Sequence, residues 1–375
     1  MKYDFLIVGA GLAGCICAER IATQLNKKVL IVEKRNHIAG NCYDYPDTKG
    51  ILIHKYGPHA FHTSMKHVWD YLSQFTIWHP YEHKVLAHIN GKNIPIPFNL
   101  NSIEQVFEKD TAEKYKKILI ETYGEDKKIP ILKLRETENP DLKELADFIY
   151  MNIFYGYTTK QWGLEPEQID FSVTSRVPVF ISRDNRYFQD EFQGIPAKGY
   201  TAMFKKMIEN PNIEIILGKN YKKIINEIEF DKMIYTGPVD DYFDYKYGKL
   251  PYRSLRFDHH TLRQDYFQEA AQINYPNNHQ YTRITEFKHF LKQENQYTTI
   301  AYEYPMDYDI DYNEPYYPIP RKENDEIYRK YFSEVEKLKD SVIFIGRLAE
   351  YKYYNMDQIT AVALMTFEKK IAKMI

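Results

Sequence analysis

Three glycines and one carboxylate carry the first chemical signal in this chain. Residues 7–14 read IVGAGLAG, with Gly9, Gly11 and Gly14 in G-x-G-x-x-G spacing around Leu12 and Ala13. Gly9 permits a tight turn, Gly11 lets the backbone approach a pyrophosphate, and Gly14 lets helix and strand pack closely. A helix opening here would turn unpaired N–H groups and partial positive charge toward phosphates. Glu33 follows 19 residues after Gly14, in IVEKR with Lys34 and Arg35. A carboxylate at the end of a second strand can accept both hydroxyls of a ribose, so the pattern reads as a dinucleotide site.

A second signal comes from two distant arginines set among aromatic residues, Arg176 in SRVPV and Arg283 in YTRITEF. A guanidinium fork pairs with two phosphate oxygens at once, so the pair could clamp a diphosphate. Each alone reads first as a surface ion pair. Tyr157 and Trp162, at helix-like spacing, would by default pack, and His59 and His62 would by default satisfy loop backbone.

The elements that must position these residues follow from periodicity. Lys2–Val8 reads as a strand, followed by a helix to about Gln24 and a strand at Lys28–Glu33. A helix is expected over 65–75 and a hairpin turning at Asn90-Gly91 within 81–97. Residues 101–170 read as amphipathic helices, and 172–199 as loop with short strands. A helix at 200–210 and strands at 213–217 and 232–236 return to the first sheet. Strands at 252–257, 269–275, 283–287 and 298–304 suggest an antiparallel sheet, and a strand at 342–346 precedes a last helix. The expected fold is α/β: a discontinuous Rossmann-like parallel sheet with an inserted helical bundle and an antiparallel sheet domain. The domain expectation is 1–80, 200–245 and 318–375 for the dinucleotide domain, 100–175 for the bundle, and 81–99, 176–199 and 246–317 for the sheet domain.

Composition bounds the partners. The 375 residues hold 50 basic and 52 acidic side chains, a net charge of -2 that argues neither for nucleic acid nor for a membrane surface. No apolar stretch reaches the length of a membrane span. The three cysteines form no metal or redox array, which points to no metal site and to a reducing cytoplasm. LAGC at 12–15 imitates a lipoprotein cleavage box, but Asp4 and the glycine spacing speak for the nucleotide fold instead. The 34 tyrosines suit a polar, ring-containing ligand or simply reflect biased composition. FAD is favoured over NAD by Gly40-Asn41 shortly after the acid and by the late strand–glycine–helix unit at 342–375.

The blocks KYGPHAFHT (55–63), YTTKQWG (157–163), SRVPV (175–179), NRYFQDEFQGIPAKGYT (185–201), YTRITEFKHF (281–290), YEYP (302–305), PYYPI (315–319) and GRLAEYKYYNMDQ (346–358) resemble those of bacterial UDP-galactopyranose mutases, and the resemblance spans residues 7 to 358. It implies FAD held by the glycine motif, Glu33, Lys34, Arg35, Gly40, Asn41, Tyr56, Gly57, His59, His62, Lys219, Gly237, Gly346, Arg347, Asn355 and Met356. It implies a nucleotide held by Phe154, Tyr157 and Thr158, with Tyr157 on uracil and Asn274 also touching substrate. Trp162 would pack on the sugar and gate the site, and His62 would lie near the flavin ring. Arg176 and Arg283 would grip the diphosphate with Tyr187, Tyr317 and Tyr353, in a cleft between sheet domain and bundle. The implied catalytic set is Arg176, Arg283, His62 and Trp162.

The implied reaction interconverts UDP-galactopyranose and UDP-galactofuranose through a covalent sugar–flavin N5 intermediate, for cell-surface polysaccharide. The implied protein is a cytoplasmic homodimer with reduced FAD, activated by NAD(P)H or another reductant. The segment around Arg176 would form a lid that orders on UDP binding. Two positions of the implied substrate set depart from or vary within the pattern: Asn355 stands where many relatives have an acid that contacts the substrate, and His83 falls where they vary between Asn and His near the sugar. His59 is the form usual in galactose-specific members. Three alternatives remain open: a mutase that also takes UDP-N-acetylgalactosamine, a flavin oxidoreductase of the amine-oxidase type, and a non-catalytic binder resembling GDP-dissociation inhibitors.

Overall fold

A computed structural model describes residues 2–170 and 177–373. It divides the chain into two compact units. The first comprises Met1–Pro80, Asp190–Tyr252 and Tyr308–Ile375. Its sheet has five parallel strands in the order Ile213–Ile216, β2 (Val29–Val32), β1 (Lys2–Val8), Glu229–Tyr235 and Val342–Phe344. In chain order that is 3-2-1-4-5, a doubly-wound arrangement. Every residue of β2 is buried, as expected of a parallel strand covered on both faces. Helix α1 (Leu12–Gln24) connects β1 to β2. The sheet is thus drawn from three separated stretches of chain, which was the sequence expectation.

Two features of this unit lie outside that expectation. Lys322–Lys337 forms a 16-residue helix that buries Tyr331. Phe61–Thr63, Phe192–Pro196 and Trp78–Pro80 form a three-stranded antiparallel sheet. It is organised by stacked aromatics, with Trp69 against Trp78 at 4.4 Å and against Phe192 at 5.4 Å. Strands this short carry too few alternations to be read from sequence.

The second unit comprises Tyr81–Gln189 and Arg253–Asp307. Helices Leu100–Val106, Lys109–Tyr123, Pro140–Ile149 and Gly156–Trp162 form its helical part. Asn99 starts the first through a capping box with Ser102, and Asn139 caps the third with Pro140 at its opening. A π-helical stretch, Tyr150–Tyr155, joins the last two and rephases the faces of the helix that follows. Six of the seven strands of its sheet run in the order Tyr252–Leu262, Thr298–Asp307, Arg283–Glu286, Gln272–Asn274, Val85–Ile89, Lys92–Ile96. The hairpin turns at Asn90 and Gly91, both at positive φ as its turn type requires. All strand pairs are antiparallel except Gln272–Asn274 with Val85–Ile89, which run parallel. The sheet is therefore mixed rather than antiparallel throughout as expected, a difference that alternation along a strand does not reveal because it is the same for either pairing direction. Val85, Ala87, Ile89, Ile94 and Ile96 share one core with the helices.

Candidate active site

In the first unit, β1 delivers the chain into the glycine turn. A Cβ on Gly14 would lie 2.0 Å from the Gly9 carbonyl oxygen, so helix and strand meet only because residue 14 has no side chain. Gly40, at φ +54°, brings a second loop so close that its Cβ would sit 2.9 Å from Gly11 Cα. Glu33 is buried, its Oε2 accepting the Ala10 N–H at 2.8 Å and its Oε1 the Arg35 N–H at 2.9 Å. Gly11 caps α1 without any side-chain bond, which leaves the donors of the first turn to a ligand.

These parts open on a cavity of about 480 Å³, within the range of small-molecule and cofactor sites. Gly9, Gly11, Leu12, Ala13, Glu33, Lys34, Arg35, Gly40, Asn41, His59, Lys219, Gly237, Gly346, Arg347 and Met356 line it. Gly14 packs behind it, and Tyr56, Gly57, His62 and Asn355 are absent from its lining. Tyr56 supports the wall instead, its ring 4.4 Å beneath the Arg35 guanidinium. The Gly57 carbonyl accepts the His59 Nδ1–H at 2.8 Å, which puts the acceptor lone pair on Nε2. Burial, with His54 alongside, pushes the His59 imidazole down to about 3 and keeps it neutral. His62 bonds Asp190 through Nδ1 at 2.8 Å, and Ser64 donates to the same carboxylate.

The cavity has one wall the sequence did not announce. Tyr308, Ile310, Glu314, Pro315 and Tyr316 line it, and Glu314 reaches Lys34 at 2.8 Å and Arg35 at 3.1 Å. Burial pushes the Glu314 carboxyl up, but Arg35 and Lys34 outweigh this and hold it below the usual range. Arg35 Nε is buried with no partner. An orphaned cationic donor, an uncapped helix start and a glycine cradle are the fittings a diphosphate requires, so the residues fit FAD. At the far end Arg347 donates to the carbonyls of Tyr316 and Tyr354 and lies 5.1 and 5.4 Å from the ring centres of Tyr317 and Tyr353, which stack on each other. Asn355 caps the final helix, Met356–Lys369, in a capping box with Gln358.

In the second unit, strand register gathers the polar residues. Ala87, Asn274, Arg283, Glu303 and Phe257 are successive cross-strand partners, so they form one row on one face of the sheet. Arg283 Nε lies 3.2 Å from Glu303 Oε1, and its Nη2 donates to the Tyr157 hydroxyl. Burial pushes the Glu303 carboxyl up, opposed by Arg283 and the Thr282 hydroxyl. Tyr157 comes from the helix Gly156–Trp162, on which Thr158 and Trp162 are buried, and Phe154 is buried in the π-helical stretch before it. Sheet and helix thus bring Tyr157, Asn274 and Arg283 into one cluster.

His83 is placed differently, buried among Tyr81, Tyr187, Phe188 and Phe290. The Tyr187 N–H donates to the His83 carbonyl at 2.7 Å. Arg176 lies outside the described residues. Glu303 and Lys160 escaped the sequence reading although both sit in blocks it singled out; Glu303 alternates with Tyr302 and Tyr304, which is a strand's signature for opposite faces. Among the described residues no group of His, Cys, Asp and Glu has metal-binding geometry, and no helix is long and apolar enough to cross a membrane.

Known proteins match over nearly the whole length. The family description UDP-galactopyranose mutase matches residues 152–353, and an NAD(P)-binding Rossmann-like domain matches residues 7–75. A probable UDP-galactopyranose mutase of Klebsiella pneumoniae is 37% identical over 372 residues, 98% of this chain and 94% of its own. A dTDP-fucopyranose mutase of Escherichia coli is 36% identical over 360 residues, 94% of each chain. The crystal structure of a reduced UDP-galactopyranose mutase shares the fold, with a TM-score of 0.72 at 15% identity over 99% of this chain and 96% of that one.

Proposed function

The chain is an isomerase of the UDP-galactopyranose mutase family, and from that premise we propose that it interconverts UDP-galactopyranose and UDP-galactofuranose on reduced FAD. The observation that carries the reading is the row Asn274–Arg283–Glu303 with Tyr157 set against Arg283. Arg283 supplies positive charge for a departing diphosphate, and Glu303 fixes its guanidinium. Tyr157 offers a flat ring to a nucleobase, and Asn274 an amide to its polar edge. Held at this end, the nucleotide stays in place while its sugar changes ring size.

FAD would be held in the first unit by the glycine cradle, Glu33 and Arg35, with Arg347 and Met356 toward its other end. Bound and reduced, it supplies an N5 lone pair as nucleophile for the anomeric carbon, with no net redox change. The neutral His59 would present an acceptor to that cofactor rather than a charge. NAD(P)H or another reductant would activate the enzyme, in the cytoplasm and as a homodimer, to supply galactofuranose for cell-surface polysaccharide. The similarity of the E. coli dTDP-fucopyranose mutase supports a second reading, in which the nucleotide is dTDP and the sugar fucose.

Incubating dithionite-reduced protein with UDP-galactofuranose or with dTDP-fucofuranose, and separating products by chromatography, tests both. UDP-galactopyranose should form in the first mixture. Exchange only with the dTDP sugar selects the second reading, and full turnover by verified oxidised enzyme sinks the flavin role.

A further inference from the structure

The nucleotide cluster stands on two pieces of chain, and one side chain fastens them. Asn274 ends one strand and Arg283 begins the next, with the loop 275–281 between them. Tyr157 and Trp162 sit on the helix Gly156–Trp162. From that helix Lys160 sends its ammonium to the carbonyl oxygens of Tyr275, His279 and Tyr281, at 2.5, 3.1 and 3.2 Å. The three carbonyls converge, and an ammonium has three N–H bonds to give them. A neutral amine has two and no charge. The same loop also touches the helical part at Asn277, whose side chain donates to the Asn152 carbonyl, and at Gly156, where a Cβ would lie 2.5 Å from the Pro276 oxygen.

Resting on the reading of Tyr157, Asn274 and Arg283 as nucleotide ligands, we infer that Lys160 is a positioning residue whose three hydrogen bonds hold the loop 275–281 against the helix and so assemble the nucleotide site. Lys160 forms no ion pair among the described residues; carbonyl dipoles alone compensate its charge. Burial pushes the ammonium down to about 8. The groups facing it are Tyr275, His279 and Tyr281 from the loop, and Arg253, whose Nη2 donates to Lys160's own carbonyl while its Nη1 pairs with Asp307. Burial raises both tyrosines, Tyr281 to about 12, so neither ionises between pH 7 and 9. A value pushed down by burial means that protonation favours the loosened, solvated side chain, so a rise in pH does not release the fastening; at pH 7 the ammonium is the form that makes it.

The test is UDP binding to oxidised holoenzyme by calorimetry at pH 7. Lys160→Arg keeps several N–H donors on a long stem and should retain most of the wild-type affinity. Lys160→Met keeps the stem but loses the donors and should bind about tenfold more weakly, the loss expected when the assembled fraction falls to about one-tenth. A Met variant that binds like wild type overturns the inference, as does an Arg variant no better than Met. Unchanged UDP affinity in Arg283→Ala would instead overturn the nucleotide assignment on which it rests.

Discussion

Replacing Arg283 separates two roles that the structure joins in one side chain. It faces Tyr157 and Glu303, and in the proposed complex it also bonds the diphosphate. A hydrogen bond to a charged group contributes about 1.5–3 kcal/mol. Two such bonds to phosphate amount to about 3–6 kcal/mol, so Arg283→Ala should lower kcat/KM by roughly a hundredfold to ten-thousandfold. Lysine can remake one of the two, leaving Arg283→Lys about ten- to a hundredfold down. The Ala variant has a second defect, because Glu303 is 4% exposed and loses its cation. An uncompensated buried charge costs about 3–5 kcal/mol unless the group takes up a proton. Burial already raises the Glu303 carboxyl above the ordinary glutamate value of about 4.5, and losing Arg283 raises it further. A raised carboxyl contributes stability that is present below about 4.5 and lost as pH climbs through its folded value. Arg283→Ala should therefore melt progressively below wild type as pH rises above about 4.5, and adding Glu303→Gln should abolish that trend. Thermal melts, flavin content and turnover on dithionite-reduced protein are the assays. Both variants should keep FAD, and the double variant should recover stability but not activity. A double variant with near-normal kcat/KM would refute the clamp, and a pH-independent Arg283→Ala defect would refute the Glu303 account.

Glu314→Gln loosens the wall formed by 308–316, and with Lys34 half exposed the loss is about 1 kcal/mol, or about fivefold faster FAD release by fluorescence. Because Lys34 and Arg35 hold the wild-type carboxyl below its usual range, FAD retention should survive mild acid and fail as pH drops through that lowered value. Gly14→Ala puts a methyl group 2.0 Å from the Gly9 oxygen and should yield colourless or insoluble protein; a yellow, stable Ala variant would contradict the cradle. Tyr157→Phe keeps the ring but drops the hydroxyl beside Arg283, so UDP affinity should fall only about three- to tenfold, measured by calorimetry.

The dinucleotide cradle was legible because its information is local. Gly9, Gly11 and Gly14 act within one turn, and Glu33 is one crossover away. The nucleotide cluster is the opposite case. Asn274, Arg283 and Glu303 share a row only through the register of three strands, and nothing in the local pattern of any one strand specifies that register. Resemblance supplied Asn274 and Arg283, while Glu303 and Lys160 were overlooked within blocks already marked. Glu314 was invisible for a related reason: its partner Arg35 precedes it by 279 residues, with Lys34 beside it. The π-helical stretch before Gly156 adds a further obstacle, since one wide turn breaks the 3.6-residue phase from which helix faces are read.

Asn355 shows how the structure changes the weight of a departure from pattern. In sequence it reads as a lost acid, and so as a lost substrate contact. In the structure it occupies the N-cap of Met356–Lys369, with the Gln358 side chain accepting its N–H at 2.9 Å. Asn and Asp are nearly equal as N-caps, so the exchange preserves the start of the helix that places Met356 on the cavity. What it removes is a negative charge at the helix's positive end, where a carboxylate contributes about 0.3–1 kcal/mol. Asn355→Asp should therefore raise the melting temperature slightly and leave FAD content unchanged. Its effect on kcat/KM then isolates the charge from the cap. A change beyond about threefold, larger than a cap-neutral exchange can cause through stability alone, would mean that residue 355 meets the substrate after all.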